Sequence, residues 1–117
     1  MGKAVALVAD IFFIAKMKET AKQVGVELTT AGTAEALCEA AKAAGISLVI
    51  VDLNARGSIE TIEKLRASGD TIPVIAFLSH VQVELAERAR AAGCTEVMSR
   101  SKFTVELAEI LARTKTQ

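Results

Sequence analysis

Residues 46–54 read I-S-L-V-I-V-D-L-N. Leu48 to Val51 is an unbroken apolar run, too short for a helix and rich in β-branched side chains. That is the pattern of a strand buried on both faces of a sheet. The run ends on one carboxylate, Asp52, and Leu53, Asn54, Ala55, Arg56 and Gly57 follow. In an open α/β sheet, ligands and chemistry occupy the crevice outside the carboxyl ends of the strands. An acid there is either a functional group or the polar residue that begins the loop.

Outward from this strand, short apolar runs alternate with helical periodicity. Ala4 to Ala9 reads as a first strand that meets Asp10. Ile14, Met17, Ala21 and Val24 then recur at helical spacing up to Gly25. Val26 to Thr30 is a second strand, and Thr33 is placed to cap an alanine-rich helix from Ala34 to Ala44 with Leu37 and Ala41 inward. Beyond the central strand, Ser58 is expected to cap a helix through Ile59, Ile62 and Leu65. Ile72 to Leu78 is a fourth strand whose Pro73 is tolerated near its start. Val81 to Ala92 reads as a helix, with Glu84 four residues before Arg88. Cys94 to Ser99 is a fifth, thinner strand. Thr104 is expected to cap a last helix carrying Leu107, Ile110 and Leu111, and Thr114 to Gln117 to fray.

Five strands alternating with five helices over short loops imply a parallel sheet with helices on both faces, a single α/β domain of residues 1–117. In the flavodoxin-like (βα)5 three-layer sandwich, with strand order 2-1-3-4-5, the first and third strands are neighbours at the switch point. Asp10 and Asp52 then converge on one site. Two close carboxylates repel unless a cation, a proton or a basic group lies between them. Mg²⁺ is one suitable occupant, and Arg100 or Lys102 is another.

Composition narrows the function classes. Hydrophobic residues make up 51% of the 117 residues, which argues against disorder. Fourteen basic and fourteen acidic side chains cancel. No global positive field holds nucleic acid, so none is expected to be bound by this chain alone. Cys38 and Cys94 lack metal spacing and read as small buried residues of a reducing cytoplasm, with a disulfide as the lesser alternative. No signal-peptide pattern, membrane-length apolar stretch or myristoylation signal is present, so a cytoplasmic protein without a membrane partner is expected.

The sequence resembles the receiver domain of bacterial two-component response regulators, chemotaxis-regulator-like, over essentially its whole length. The resemblance is carried by L-V-I-V-D-L-N at 48–54, I-P-V-I-A-F at 72–77 and A-R-A-A-G at 89–93, in that order and spacing. It implies a phosphorelay module in which Asp52 accepts a phosphoryl group from a histidine kinase. It also implies Mg²⁺ held by Asp52, by acids after the first strand and by the backbone carbonyl of Asn54. A hydroxyl after the fourth strand and a lysine after the fifth bind the phosphoryl oxygens in the family. Partners and dimer mates dock there on the fourth helix, fifth strand and fifth helix, so a homodimer through that face is a further implied partner.

Carried over residue by residue, the match departs at the switch. The first-strand acidic pair stands here as Ala9-Asp10, and Leu78 occupies the hydroxyl position with Ser79 beside it. Arg100 takes the lysine position, with Lys102 two residues on, and Val97 takes the aromatic position. The loop after Asp52 reads N-A-R-G, without the usual proline. The acceptor survives while the residues that convert phosphorylation into movement do not. The expectation is a stand-alone pseudo-receiver that acts by protein–protein interaction and is not an enzyme, with Mg²⁺ weak or absent. A phosphorylation-competent receiver using Asp52 is the alternative, with Ser79, Arg100 and Lys102 as phosphoryl contacts and Asp10, Asp52 and Asn54 as metal ligands. A flavodoxin-like small-ligand module is a third reading, disfavoured by the absence of a glycine-rich phosphate loop.

Several residues also carry plainer readings. Asp10 is a metal ligand or the cap of the first helix, and Arg100 is a built-in counter-charge for Asp10 or Asp52. His80 reads as a solvated loop histidine and Ser79 as a helix cap. Of Phe12 and Phe13, one is expected in the core and the other free for a partner. Val81 and Val83 would add apolar area to the basic edge formed by Arg88, Arg90, Arg100 and Lys102.

Overall fold

The structure is a computed structural model describing residues 2–79 and 82–116. Strand and helix alternate from end to end. They are β1 (Gly2–Leu7), α1 (Ile11–Val24), β2 (Val26–Ala31), α2 (Ala34–Ala41), β3 (Ile46–Asp52) and α3 (Ser58–Ala67), then β4 (Val74–Leu78), α4 (Val83–Ala92), β5 (Glu96–Ser99) and α5 (Arg100–Ala112). A 3-10 turn, Arg113–Thr116, follows. The strands form one parallel sheet in the order β2-β1-β3-β4-β5, the flavodoxin-like arrangement expected. No helix among the described residues is long and apolar enough to cross a membrane.

The alternation of side chains along each strand divides the core in two. Ala4, Ala6, Leu48, Ile50, Ile75, Phe77 and Met98 face α1 and α5, where Phe13, Met17, Phe103 and Leu107 meet them. Val5, Leu7, Val49, Val51, Val74, Ala76 and Leu78 face α2, α3 and α4, packing on Leu37, Ile59, Ile62 and Ala89. Asp52 shares the parity of Leu48 and Ile50, which directs it to the α1/α5 side. Leu78 and Val97 have the opposite parity and lie under α4. The central strand is therefore apolar on both faces, as its sequence requires.

The helix ends differ from expectation at several points. Ser58 is the first residue of α3 and not its cap; its hydroxyl donates to the Leu53 carbonyl at 2.9 Å, and Gly57 stands at the cap with φ 78°. Thr104 lies inside α5, donating to the Arg100 carbonyl at 2.8 Å, and Ser99 caps the helix by accepting from the Lys102 N–H at 3.1 Å. A Ser followed by three residues without a breaker makes as good a start as Thr104, and the chain has just left β5. α2 stops at Ala41, short of Ala44, and β4 and β5 begin two residues late, at Val74 and Glu96. α4 begins at Val83 among the described residues; His80 and Val81 lie outside them, as does Gln117.

Thr114 does not fray. It is buried, its hydroxyl donates to the Leu111 carbonyl at 2.8 Å, and it packs on Gly2, where any Cβ would collide with its side chain. Orphan carbonyls at a helix end need donors, and Thr114 supplies one for α5. Lys115 does the same for α1, donating to the Val24 carbonyl at 2.8 Å. The cysteines are also less deeply placed than core residues: Cys38 and Cys94 are both free and half-buried. The Cys94 thiol lies close to the Val74 and Glu96 carbonyls, and burial raises its pKa, which suppresses thiolate chemistry.

α4 is held more lightly than its neighbours. Its buried side chain is the small Ala89, whereas α1 buries Phe13 and Met17 and α5 buries Phe103, Leu107, Ile110 and Leu111. Few apolar contacts make an element the first to open. At its far end Arg66 of α3 spans the gap, donating to the carbonyls of Gly93 (2.9 Å) and Asp70 (2.8 Å).

Candidate functional site

Asp52 ends β3 level with Phe77 of β4, and the chain turns sharply after it. The Leu53 N–H still reaches the Phe77 carbonyl at 2.9 Å, and the Ala55 N–H donates back to the Asp52 carbonyl at 2.9 Å. Only 5% of Asp52 is exposed. Oδ1 accepts the Asn54 N–H at 2.9 Å. Oδ2 has no hydrogen bond from the described residues. Burial raises the Asp52 pKa above its ordinary 3.8, opposed by the Asn54 N–H and the charge of Arg100 and reinforced by Asp10. One oxygen of the Asp52 carboxylate is thus fixed by the backbone.

Asp10 stands at the cap of α1. Its Oδ1 accepts the N–H groups of Phe12 (2.9 Å) and Phe13 (3.2 Å), so the cap reading holds. Its Oδ2 accepts from Arg100 Nη2 at 2.7 Å. The hydrogen bond from Arg100, then the Phe13 N–H, holds the Asp10 carboxyl below the usual 3.8. Of the two partners the sequence offered Arg100, its direct bond is with Asp10.

Arg100 is set by both ends of its surroundings. It opens α5 directly after the Ser99 cap, and its guanidinium carbon sits 4.3 Å from the centroid of the Phe13 ring. Phe13 packs edge-on to Phe77 at 5.3 Å, and Phe77 stacks on Phe103 at 4.5 Å. The cation therefore rests on a ring that the core itself fixes. Phe12 points the other way and is 83% exposed. The sequence offers Phe12 and Phe13 alike for the core, and the role of Phe13 under Arg100 had one available signal, the three-residue spacing from Asp10 that puts both at the start of one helix.

The remaining candidates fall into separate groups. The Asn54 side chain bridges two loops, accepting the Ser79 N–H at 3.0 Å and donating to Gln82 Oε1 at 3.0 Å. The resemblance implicates only the Asn54 carbonyl, and nothing local in the chain marks Gln82. The Ser79 side chain is exposed at the end of β4. Lys102 is on the helix and not on a continued strand; its ammonium is exposed, 4.0 Å from Glu106 one turn on. Structure thus brings Asp10 and Arg100 together beside Asp52, links Asn54 to Ser79 through the backbone, and directs Lys102 along α5.

A divalent cation fits these residues poorly. Ala9 provides no side-chain oxygen, and both Asp10 oxygens are already engaged, one by two N–H groups and one by a guanidinium. No group of three His, Cys, Asp or Glu side chains converges among the described residues. Mg²⁺ demands near-ideal octahedral oxygen ligation, and a fixed positive charge stands beside the carboxylate it would use.

Beside this site, α4 and β5 enclose an open groove of about 510 Å³ lined by Leu78, Gln82, Val83, Ala86, Arg90 and Val97 among others. Its walls are mostly apolar, Leu78, Val83, Ala86 and Val97 among them. Val83 is 61% exposed at its rim, and Val105 on α5 is 85% exposed.

No protein-family model matches the sequence, and no curated protein matches it. Solved structures match it in shape. A response regulator receiver protein from Pseudoalteromonas atlantica superposes with a TM-score of 0.85 at 15% identity, covering 97% of each chain. The chemotaxis response regulator CheY4 of Vibrio cholerae gives 0.82 at 23% identity, over 97% of this chain and 98% of that one. A response regulator receiver domain from Clostridium thermocellum gives 0.79 at 15%, over 99% and 98%. From β1 to the last turn, the chain has the fold of response regulator receiver domains.

Proposed function

We propose that this chain is a single receiver-like signalling domain of two-component type that acts mainly by protein–protein interaction, a pseudo-receiver. Leu78 carries this reading. It is buried under α4 at the strand end where the family has a hydroxyl. A phosphoryl group on Asp52 has no side-chain hydroxyl there to draw inward. Val97 offers no ring to swing, so modification at Asp52 lacks a route to α4. The partner is a signalling protein, a histidine kinase or a downstream component, docking on α4, β5 and α5. Exposed Val83 and Val105 provide the apolar area and Arg90 and Lys102 the charge. The same face serves a second copy of the chain where the module dimerises.

One observation favours the second reading, a phosphorylation-competent receiver: Asp52 Oδ1 is held while Oδ2 has no hydrogen bond from the described residues. Acetyl phosphate would pass its phosphoryl group to that oxygen and release acetate. Ser79, Arg100 and Lys102 are then the available phosphoryl contacts. The experiment is intact mass after incubation with acetyl phosphate and Mg²⁺, beside Asp52→Asn, with amide NMR shifts followed in α4 and β5. The pseudo-receiver reading expects those shifts to stay local to Asp52 whether or not an adduct forms. An adduct that moves the α4 and β5 resonances, and is absent from the Asn variant, establishes a working switch instead.

A further inference from the structure

The acids at the strand ends already have a cation beside them. We propose that the guanidinium of Arg100 is the resident positive charge of this site, occupying the electrostatic role of a divalent metal and excluding one, so that removing it creates a metal site from Asp10 and Asp52. This deepens the reading of the site as degenerate, and rests on that reading for the identity of the pocket.

Three features hold Arg100 in place. Its bond to Asp10 Oδ2 is short, 2.7 Å, as charge-assisted bonds are. Its planar face lies on Phe13, 4.3 Å from the centroid, and Phe13 is fixed by Phe77 and Phe103. Its backbone begins α5, set by the Ser99 cap. Arg suits such a seat better than Lys, because a flat guanidinium can stack and bond at once.

Position adds to the argument. A cation in the first turn of a helix opposes the helix dipole, and α5 has no acid in that turn to offset it. The compensating carboxylate comes from Asp10, which is itself placed by the cap of α1. Withdrawing Asp10 to ligate a metal would leave Arg100 uncompensated at the positive end of α5, facing the incoming ion. It would also cost Asp10 its guanidinium partner, because Oδ1 stays on the Phe12 and Phe13 N–H groups. With Ala9 in place of a second acid, no other carboxylate of that loop can take over.

Without Arg100 the balance reverses. Asp10 Oδ2 loses its partner, and neither Asp52 Oδ2 nor the Asn54 carbonyl has a hydrogen bond among the described residues. The charge beside the two carboxylates is then negative, uncompensated by Arg100, and metal affinity rises with ligand charge.

Titration calorimetry with Mg²⁺, and with Mn²⁺ followed by loss of the free-ion EPR signal, tests this on the full chain without any phosphoryl donor. The wild type is expected to give no saturable binding at millimolar metal. Arg100→Ala is expected to bind one ion at least about tenfold more tightly, and Arg100→Ala with Asp10→Asn to lose it. Arg100→Met, which keeps the stem over Phe13, gives the same gain if the alanine variant is unstable. One-site binding by the wild type as tight as by the variants overturns the proposal, and so does the absence of any gain in both folded variants. Either failure leaves the pseudo-receiver reading standing, since that rests on Leu78 and Val97 and is read by phosphoryl-induced shifts.

Discussion

Arg100 and Asp10 lie 90 positions apart in the chain and are joined by a 2.7 Å hydrogen bond between Nη2 and Oδ2. The pair ties the start of α5 to the start of α1 at the carboxyl end of the sheet, next to the acid that ends β3. Much of the site's behaviour follows from this one bond.

The pair should make stability depend on pH in a defined direction. The Asp10 carboxyl is lowered from 3.8 in the fold, so its contribution is complete above that unfolded value and is lost as pH falls through the lower folded one. Asp10→Asn keeps a good cap and loses the ion pair, whereas Asp10→Ala loses both. Thermal melts at neutral pH are expected to rank wild type above Asn and Asn above Ala, and the wild-type lead over Asn should close at strongly acid pH. A lead that persists undiminished would show that the charge of Asp10 contributes nothing.

Asp52 has the opposite sign. Burial raises its carboxyl above 3.8 in the fold, so the folded state holds the proton more tightly. Its contribution is greatest below the unfolded value and falls as pH rises through the folded one, leaving an ionised, buried carboxylate at neutral pH. Asp52→Asn keeps an oxygen for the Asn54 N–H and removes that charge. The variant should melt higher than wild type at pH 7, with the difference gone near pH 3. A lower melting point at pH 7 would mean that Arg100 already compensates the charge.

The aromatic seat can be probed through its centre. Phe77 is fully buried and touches both Phe13 and Phe103. Phe77→Ala should cost about 3–5 kcal/mol in urea unfolding. A cost under about 1 kcal/mol would mean that the neighbours collapse into the space.

Asn54 predicts a change of dynamics with little change of stability. Its side chain is exposed, so Asn54→Ala should cost no more than about 1.5 kcal/mol. The Ser79 N–H loses its acceptor, and hydrogen exchange at Ser79 should accelerate. Unchanged exchange there would mean that the bridge from Asn54 to the β4–α4 loop is not maintained in solution.

Gly2→Ala tests the closing turn. A Cβ at this position meets the side chain of Thr114 and comes within 2.9 Å of its backbone carbon. Overpacking of this kind should destabilise by about 1–3 kcal/mol. The double variant Gly2→Ala, Thr114→Gly should recover part of the loss, and no recovery would locate the strain elsewhere.

The chain's own order shows how much was written locally. Leu48 to Val51 reads as a central strand because it is a short apolar, β-branched run, and Met17, Ala21 and Leu107 sit inward as helical spacing requires, with Ile14 and Val24 only partly buried. Gly25 and Gly93 end their helices with φ of 75° and 113°, a conformation that side chains resist. The parallel sheet follows from that alternation with short crossovers, and the order 2-1-3-4-5 came with the flavodoxin-like arrangement it resembles. These are properties of neighbouring residues, and the sequence by itself determined them.

Helix starts were less legible, because Ser99 and Thr104, or Gly57 and Ser58, are all competent at a helix N-terminus, and the choice depends on where the preceding strand releases the chain. The site needed the tertiary structure throughout. Sequence left Arg100 between Asp10 and Asp52, and only the packing of α5 against α1, over Phe13, directs its bond to Asp10. It gave no sign that Asn54 would hold Ser79 and Gln82, or that Thr114 would close on Gly2. Each of these pairs joins groups distant in the chain through contacts of a few ångströms. Local propensity carries no information about such contacts, which exist only once the sheet and its two helical layers have brought the groups within reach.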